Sequence, residues 1–444
     1  MKDFFKLQTT IKPEIIQKHV EYFDRRNIAA GNTRVMMRLV DFIERDSGEK
    51  FIRMEIGTPG LNPSQIGIDA EIAALKTNIA SVYPSAEGVT ETKEEIARFA
   101  KKFLNLDIAP EHCVPTVGGI NGAYATFMVA GRRYKDKDTV LLIDPGFPAH
   151  RLQVKMIGLK LESLDIYEYR GNKLEAKLEE ILAKGNISTL LFSNPNNPAW
   201  ICLSEEEIQI IAKLCEKYNV IPIEDLAYLG MDYRVDYSHP DQPPYPPSIT
   251  KYTDYFVLLL SSSKSFSYAG QRIGMMLISA KLFDSKFPDL TQYYLSEVYG
   301  PAITYGTMLL TSGGVPQSSQ AALAAMLRAA SDGQYQFLEE TKIYAEKARI
   351  MKKIFLENGF QIVYDKDGDV PIADGFYFTV SFPGLRGDEL TESLLYFGIS
   401  SIPLSSTGSL RIEGIRACTS LIKMEQIPEL EQRLKLFRTQ MAEM

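Results

Sequence analysis

Short, continuous apolar runs alternate with amphipathic stretches in the middle of the chain, between residues 139 and 280. The runs read TVLLID, STLLFSN, NVIPIED, YFVLLLS and IGMMLIS, and stretches such as GFPAHRLQVKMIG and SEEEIQIIAKLCEKY lie between them. Continuous apolar runs are typical of strands buried on both faces, and the amphipathic stretches predict helices that cover those faces. The pattern therefore predicts an α/β fold with a large, doubly wound, mainly parallel sheet.

The C-terminal part of the chain follows a different order. A charged helical pattern begins near Glu340, the strand-like segments DGFYFTVSF and SLRIEGIRACTS follow, and a second helical pattern, PELEQRLKLFRTQM, comes last. This order predicts a second, smaller α+β domain. We expect the N-terminal residues to join it, so the predicted domains are residues 62–320 for the large domain and residues 1–61 with 321–444 for the small one.

Two local signals refine this pattern. The segment from Ser204 to Glu207 resembles a capping box, in which the serine hydroxyl accepts from a backbone N–H and the glutamate reaches back. It predicts that a helix begins there. The stretch DYSHPDQPPYPPS, residues 236–248, predicts a surface loop, because proline cannot donate to a strand ladder.

Composition and charge narrow the classes of protein. The chain has 444 residues, is 45% hydrophobic and 24% charged, and so has enough apolar material for a large core. Its net charge is −7, and no basic cluster interleaved with aromatics appears, which argues against a nucleic-acid partner. The start lacks the apolar core of a signal peptide, and no apolar run approaches the ~18 residues that span a bilayer, so we expect a cytoplasmic protein without a membrane partner. The four cysteines and four histidines lack metal-ligand spacing, so no metal site is predicted.

Polar and ionisable side chains follow three of the predicted strands at the points where the strands end. In an open α/β sheet, ligands bind beyond the carboxyl ends of the strands. The pattern therefore predicts a ligand site built from these positions. In chain order they are Asn194, Asp225, Tyr228, Ser261, Ser263 and Lys264.

A glycine cluster precedes an earlier apolar helix. Gly118, Gly119 and Ile120 follow the run VPTV, and glycines at a helix start allow backbone N–H groups to approach an anion. Taken alone, the cluster is a weak signal that favours an ordinary turn over a phosphate site. It gains weight from Arg272, because a guanidinium can grip a phosphate with two parallel hydrogen bonds.

One cofactor, pyridoxal 5'-phosphate, needs all of these groups together. Lys264 would form a Schiff base with its aldehyde, and Asp225 would keep the pyridine nitrogen protonated, so that the ring accepts electrons. Tyr228 and Asn194 would stabilise the oxyanion of the ring hydroxyl. The phosphate would lie among Arg272, the hydroxyls of Ser261 and Ser263, and the backbone N–H groups of the glycine cluster. The predicted catalytic residues are Lys264, Asp225 and Tyr228.

These motifs resemble those of the fold type I pyridoxal-phosphate enzymes, specifically the class I/II aminotransferases typified by aspartate aminotransferase. The resemblance runs from about Gly57 to Arg416. Three motifs carry it in the family's order: Asn-Pro-Asn-Asn-Pro from residue 194, Asp-x-x-Tyr from residue 225, and Ser-x-Ser-Lys-x-Phe from residue 261, with an arginine eight residues after the lysine.

The resemblance implies further roles. Phe147 matches the aromatic that stacks on the cofactor ring, where tyrosine or tryptophan is usual. Tyr83 matches a tyrosine that reaches the phosphate held by the partner subunit, which implies a homodimer with active sites at the interface. Gly57 and Asn194 match residues beside the substrate. The substrate carboxylate is assigned to Arg416, and Arg411 is the alternative.

The implied activity is a ping-pong transfer of an amino group from an α-amino acid to a 2-oxo acid. Two alternatives remain open at this point. The same residues serve other pyridoxal-phosphate reactions, such as β-elimination by a C–S lyase or decarboxylation. A non-catalytic ligand-sensing module is the remoter alternative, although the N-terminal region is too short and too acidic for a basic winged helix. The amino donor and acceptor cannot be read from the sequence.

Overall fold

The computed structural model describes residues 4–31 and 33–442. The chain divides into two compact units. The terminal unit contains the residues up to Gly60, the short segment Asn197–Ile201 and the residues from Lys342 onward. The central unit contains Leu61–Asn196 and Cys202–Thr341. The sequence pattern places these boundaries after residues 61 and 320.

The N-terminal part of the terminal unit is mainly helical. Its first helix begins at Pro13, a position where the missing N–H of proline has no helical partner to lose, and it buries Ile16 and Val20. The elements are α1 (Pro13–Phe23), α2 (Arg25–Ala29), α3 (Thr33–Ser47) and β1 (Ile52–Arg53).

The central unit contains a seven-stranded sheet flanked by helices. The strands are β2 (Cys113–Thr116), β3 (Thr139–Asp144), β4 (Lys160–Asp165), β5 (Ile187–Ser193), β6 (Ile221–Leu226), β7 (Val257–Ser261) and β8 (Gly274–Ile278). The helices are α4 (Gln65–Leu75), α5 (Thr90–Leu104), α6 (Gly119–Ala130), α7 (Pro148–Met156), α8 (Asn172–Leu182), α9 (Glu205–Lys217), α10 (Ser262–Ser265), α11 (Ala280–Phe283), α12 (Tyr299–Ile303), α13 (Leu309–Ser312), α14 (Gln317–Ser331) and α15 (Phe337–Thr341).

The strand order is β2-β8-β7-β6-β5-β3-β4. Only β8 runs antiparallel to its neighbours within this sheet, and the remaining pairs are parallel. Helices lie between most successive strands, the connection from β6 to β7 being mainly loop, and β2, β3 and β8 are buried along their whole length. The predicted doubly wound, mainly parallel α/β fold is confirmed.

The register brings several strand ends to one edge of this sheet. Ser193 pairs with Asp225 across β5 and β6, and Leu226 pairs with Leu260 across β6 and β7. Because β8 is antiparallel to both β7 and β2, its first residue, Gly274, pairs with the last residue of each. The segments that follow β2, β5, β6 and β7 therefore all leave the sheet from the same edge.

Both local signals in the sequence are confirmed. Ser204 caps α9, with its hydroxyl accepting from the Glu207 N–H at 3.2 Å and the Glu207 carboxylate accepting from the Ser204 N–H at 2.9 Å. The proline-rich stretch is a loop without helix or strand. It ends at Ser248, whose hydroxyl donates to the carboxylate of Glu224 at 2.7 Å.

Glu224 is a buried carboxyl group beneath this loop. Its Oε2 atom also accepts from the Ile249 N–H at 3.0 Å, and within the described part of the chain its Oε1 atom has no hydrogen-bond partner. Burial raises the pKa of Glu224 from 4.5 to about 7. The folded state therefore retains a proton that the unfolded state releases above pH 4.5, so the contribution of Glu224 to stability falls as the pH rises from 4.5 to about 7.

The Glu224→Gln variant should lose this pH dependence, because glutamine keeps the acceptor and cannot ionise. Between pH 4.5 and about 7, we expect its free energy of unfolding to rise by roughly 3 kcal/mol relative to the parent protein. Denaturant unfolding of both proteins across this range measures the difference. A difference that stays constant with pH would show that Glu224 is already ionised in the fold.

The C-terminal part of the terminal unit contains the predicted first helix, two strands and last helix, here α16, β12, β15 and α18, but the pattern does not predict the nine-residue helix α17 between the two strands or the short strands. The elements are α16 (Ile343–Glu357), β9 (Gln361–Ile362), β10 (Lys366–Asp367), β11 (Val370–Pro371), β12 (Tyr377–Ser381), α17 (Gly387–Leu395), β13 (Ile399–Ser400), β14 (Ile402–Pro403), β15 (Ile415–Cys418) and α18 (Ile427–Ala442). The strands β14-β15-β12-β9 form an antiparallel sheet, β1 pairs in parallel with β13, and β10 pairs with β11.

No helix in the described ranges is both long enough and apolar enough to cross a membrane.

Candidate active site

Lys264 lies in the short helix α10, directly after β7 in the central unit. The turn that carries it is closed by Ser261, whose hydroxyl accepts from the Ser263 N–H at 3.2 Å. Lys264 is half-buried. The local fold thus holds the lysine at the edge where β6 and β7 end, as the sequence predicts.

Asp225 lies at this edge on the neighbouring strand β6. Its Oδ1 atom accepts from the Ala227 N–H at 3.1 Å, and its Oδ2 atom lies 3.4 Å from Nε2 of His150 and 3.5 Å from the hydroxyl of Ser193. His150 is buried, with 2% of its surface exposed. These contacts hold the carboxylate in one orientation. Such a fixed orientation suits a group that faces one ligand atom.

His150 belongs to a line of contacts that the sequence reasoning missed. Its Nδ1 atom lies 3.3 Å from the side-chain oxygen of Gln153, and the amide nitrogen of Gln153 donates to the Ile120 carbonyl at 2.7 Å. The line connects the start of α6 to Asp225. The sequence signal that could have indicated His150 is its spacing from Phe147, because residues three apart lie on one face of a helix. In the structure, the ring centroids of Phe147 and His150 lie 5.4 Å apart.

Glycines and Arg272 come together at the start of α6, in an arrangement called the cradle from here on. Gly118 has a φ of +75°, and a Cβ atom there would lie 2.4 Å from Nη2 of Arg272. A Cβ atom on Gly274 would lie 3.0 Å from the backbone nitrogen of Gly119, whereas one on Gly119 would meet open space. The glycines therefore allow a helix N-terminus and a guanidinium to approach each other closely, which is a favourable arrangement for a phosphate.

The loop before α7 is anchored at the end of β3. The buried carboxylate of Asp144 accepts from the Arg151 guanidinium and from the Ser163 hydroxyl. Burial raises the pKa of Asp144 to about 7, and Arg151 and Ser163 oppose this shift. The anchored loop presents Phe147, which is 36% exposed and is thus available to stack on a ligand.

The remaining predicted residues of the central unit differ in exposure. Asn194 is buried, its N–H donates to the Asp225 carbonyl at 3.3 Å, and its side-chain oxygen accepts from the Leu203 N–H at 3.1 Å. Tyr228 is buried. Ile120 is 39% exposed, and Tyr83 is 94% exposed in the single chain. The structure therefore brings all but Tyr83 to elements that leave the same sheet edge.

In the terminal unit, Arg416 is a buried guanidinium on β15, with 2% of its surface exposed. Its Nη1 atom donates to the side-chain oxygen of Asn197 at 3.1 Å, and its Nη2 atom donates to the Glu55 carbonyl at 2.6 Å. Among the residues that the structure describes, Nε has no hydrogen-bond partner, and the two partners of the other nitrogens are an amide oxygen and a backbone carbonyl, not carboxylates. Burying an uncompensated cation costs several kcal/mol, so the arrangement favours an anionic ligand.

Three further residues of the terminal unit bear on the predicted substrate site. Arg411, the alternative to Arg416, is half-buried and lies over the ring of Tyr364 at 5.6 Å. The backbone of Gly57 lies against Tyr377, because a Cβ atom at Gly57 would be 1.9 Å from the tyrosine hydroxyl. Asn197 was not singled out from the sequence, where the neighbouring Asn194 takes the amide role. The repeated asparagines of the motif gave no means of choosing between them.

The model of one protein family, aminotransferase class I and II, matches residues 49–434. An aspartate aminotransferase from Pyrococcus horikoshii is 27% identical over 248 residues, covering 55% of this chain and 60% of its own. The glutamate-pyruvate aminotransferase of Escherichia coli is 27% identical over 237 residues, covering 52% of this chain and 55% of its own. The chain thus spans less than two thirds of the length of these curated relatives.

Solved structures share the fold over a longer range. The structure of a mutant aspartate aminotransferase from Thermus thermophilus superposes with a TM-score of 0.72, at 15% identity, covering 95% of this chain and 98% of that one. The fold is therefore that of aspartate aminotransferase. Since the family model covers most of the 444 residues, the chain belongs to the aminotransferase class I and II family.

Proposed function

We propose that this protein is a pyridoxal-phosphate-dependent aminotransferase that transfers an amino group from an α-amino acid to a 2-oxo acid. The observation that carries the proposal is the common sheet edge of the central unit, where Asp225 lies near the end of β6 and Lys264 follows the adjacent strand β7, beside the cradle of Gly118 and Arg272. Family membership supports the same reading.

Pyridoxal phosphate fits the residues present. The cradle at the start of α6 offers backbone N–H groups and a guanidinium in a space that a Cβ atom at Gly118 would fill, which suits the phosphate. We assign the phosphate to this cradle with Ser261 and Ser263, the ring face to Phe147, and the ring hydroxyl to Tyr228 and Asn194. When bound, the cofactor supplies an aldehyde that condenses with amines and a protonated ring that accepts an electron pair.

Lys264 has two tasks in this proposal. Its Nζ atom would hold the cofactor through the aldehyde, and as a free amine it would be the base for the proton on the donor's Cα atom. Asp225 would hold the proton on the ring nitrogen. His150, whose Nε2 atom lies 3.4 Å from Oδ2 of Asp225, keeps that carboxylate in place.

Arg416 is proposed to bind the α-carboxylate of the donor. Its burial without a carboxylate partner, among the residues described, supports it over Arg411, which is half-buried and stacks on Tyr364. A planar guanidinium can hold a carboxylate with two parallel hydrogen bonds, which also fixes the orientation of the Cα atom.

We further infer a homodimer in which Tyr83 reaches the cofactor phosphate of the partner subunit. The inference is supported by the 94% exposure of this tyrosine, which a partner would have to cover, and by the family resemblance.

A panel of amino donors with 2-oxoglutarate or pyruvate as acceptor tests the reaction. We expect sustained formation of the donor's 2-oxo acid only when an acceptor is present, and no more than a single turnover without one, because the amino group must leave the enzyme before the next turnover. Release of ammonia or carbon dioxide without an acceptor would instead indicate β-elimination or decarboxylation, and the proposed transfer would be wrong.

The Arg416→Gln variant should raise the KM for the amino donor on the order of 10²-fold, because a buried, charge-assisted contact to the carboxylate is lost. Steady-state kinetics with the best donor of the panel measure this effect. Arg411→Gln is the matched control, and its KM should change less than about threefold because Arg411 is half-buried and lies over the ring of Tyr364. A larger effect in the control than in Arg416→Gln would reverse the assignment.

A further inference from the structure

Trp200 is the one tryptophan of the chain, and its backbone conformation is unusual. Its φ is +66°, in the left-handed region that favours glycine, and its side chain is fully buried. A bulky residue retains such a backbone only where its surroundings fix it. The packing around Trp200 within the terminal unit therefore fixes the position of its side chain.

Two contacts fix the indole of Trp200. A Cβ atom at Gly375 would lie 2.0 Å from its Cε2 atom, so the indole rests directly on the backbone of that glycine. Its ring also meets the ring of Tyr377 edge to face, at 6.2 Å between centroids and 64° between planes. Edge-to-face contact is a favourable geometry for two aromatic rings, and it limits how Tyr377 can turn.

Tyr377 in turn faces Arg416. On the pair of β12 and β15, Arg416 lies opposite Thr379, and Tyr377 is the diagonal neighbour on the same face. The Cζ atom of Arg416 lies 4.7 Å from the centre of the Tyr377 ring. The hydroxyl end of Tyr377 abuts Gly57, so the ring is confined between that backbone and Trp200.

The short segment that carries Trp200 therefore reaches the guanidinium by two routes. Asn197, at its start, accepts directly from Nη1 of Arg416 at 3.1 Å. Trp200 acts through the Tyr377 ring, which supports the guanidinium face. The Asn197 contact fixes the position of Nη1, and the Tyr377 ring fixes the plane of the guanidinium. A bidentate hydrogen bond to a carboxylate depends on that plane.

We propose that Trp200 is a positioning residue, which sets the plane of the Arg416 guanidinium for the substrate carboxylate through the ring of Tyr377. The inference rests on the proposed function, because it takes Arg416 as the carboxylate site. It assigns Trp200 to recognition of the carboxylate and not to the chemistry at the amine.

The test compares a donor that has a carboxylate with one that lacks it. In the cofactor-loaded protein, L-alanine and ethylamine, or the equivalent pair for a better donor, are followed by the change in the cofactor's absorbance. Trp200→Leu should lower kcat/KM for the amino acid about tenfold, mainly through KM, and leave the rate with the amine within about twofold. Trp200→Phe keeps an aromatic edge and should recover most of the loss.

Controls separate this role from general destabilisation. Phe437→Leu alters another buried aromatic of the same unit and should leave the ratio of the two rates unchanged. Tyr377→Leu tests the same link should Trp200→Leu not fold, and it should lower the ratio in the same way. Equal losses on both donors, or no change in the ratio, would overturn the proposal. If the parent protein reacted with neither donor, the proposed function itself would fail.

Discussion

Replacing Lys264 with alanine is expected to abolish both turnover and the visible absorbance of the cofactor-loaded protein. In the proposed reaction, the variant would lack both the amine that bonds to the cofactor aldehyde and the base that moves the Cα proton. Loss of a covalent catalyst and of a positioned base together should reduce kcat by at least ~10³-fold. Absorbance spectra and single-turnover kinetics of the purified variant measure the two effects separately.

The matched control is Lys281→Ala, which removes an exposed lysine from α11 of the same unit. It should keep the parent spectrum and rate. Full activity in Lys264→Ala, or loss of the visible band in Lys281→Ala, would contradict the role assigned to Lys264.

Replacing Asp225 with alanine is expected to lower kcat by a second large factor, on the order of 10²-fold or more, with the cofactor still bound through Lys264 and the phosphate cradle. Without the carboxylate, the ring nitrogen loses the anion that keeps it protonated, and the ring accepts electrons less well. The vacated space also leaves His150 without the carboxylate that faces its Nε2 atom. Kinetics and the pH dependence of the cofactor spectrum measure the loss.

The neighbouring residue, Glu224, provides a control for Asp225→Ala. Glu224 points to the opposite face of β6 and bonds to Ser248, so Glu224→Gln should keep near-parent turnover while changing the pH dependence of stability. Equal kinetic losses in Asp225→Ala and Glu224→Gln would mean that burial of charge in β6 matters more than contact with the cofactor.

The central sheet could be predicted from the sequence because each buried strand is a continuous apolar run bounded by polar residues. The run TVLLID, for example, coincides with β3, Thr139–Asp144. The lysine, the aspartate and the glycine cluster could also be found, since each lies at or shortly after the end of such a run. The short strands β9, β10 and β11 have two residues each, too few to show any periodicity.

Other features depend on contacts between residues distant in sequence. His150 faces Asp225 across 75 positions, and Asn197 meets Arg416 across 219. No local pattern encodes such a pairing, so the sequence offered three asparagines in one motif and no basis for choosing Asn197. The absence of a carboxylate beside Arg416, among the residues described, is likewise a property of packing and not of any motif.

The covalent attachment point is the most direct test of the account. The protein is loaded with pyridoxal phosphate and reduced with borohydride, which fixes a bound pyridoxyl group to the amine that holds it, and the digested peptides are analysed by mass spectrometry. We predict a single modified site, Lys264, in the peptide that follows β7. A pyridoxyl group on another lysine, or none at Lys264 under conditions in which the protein is active, would contradict the account.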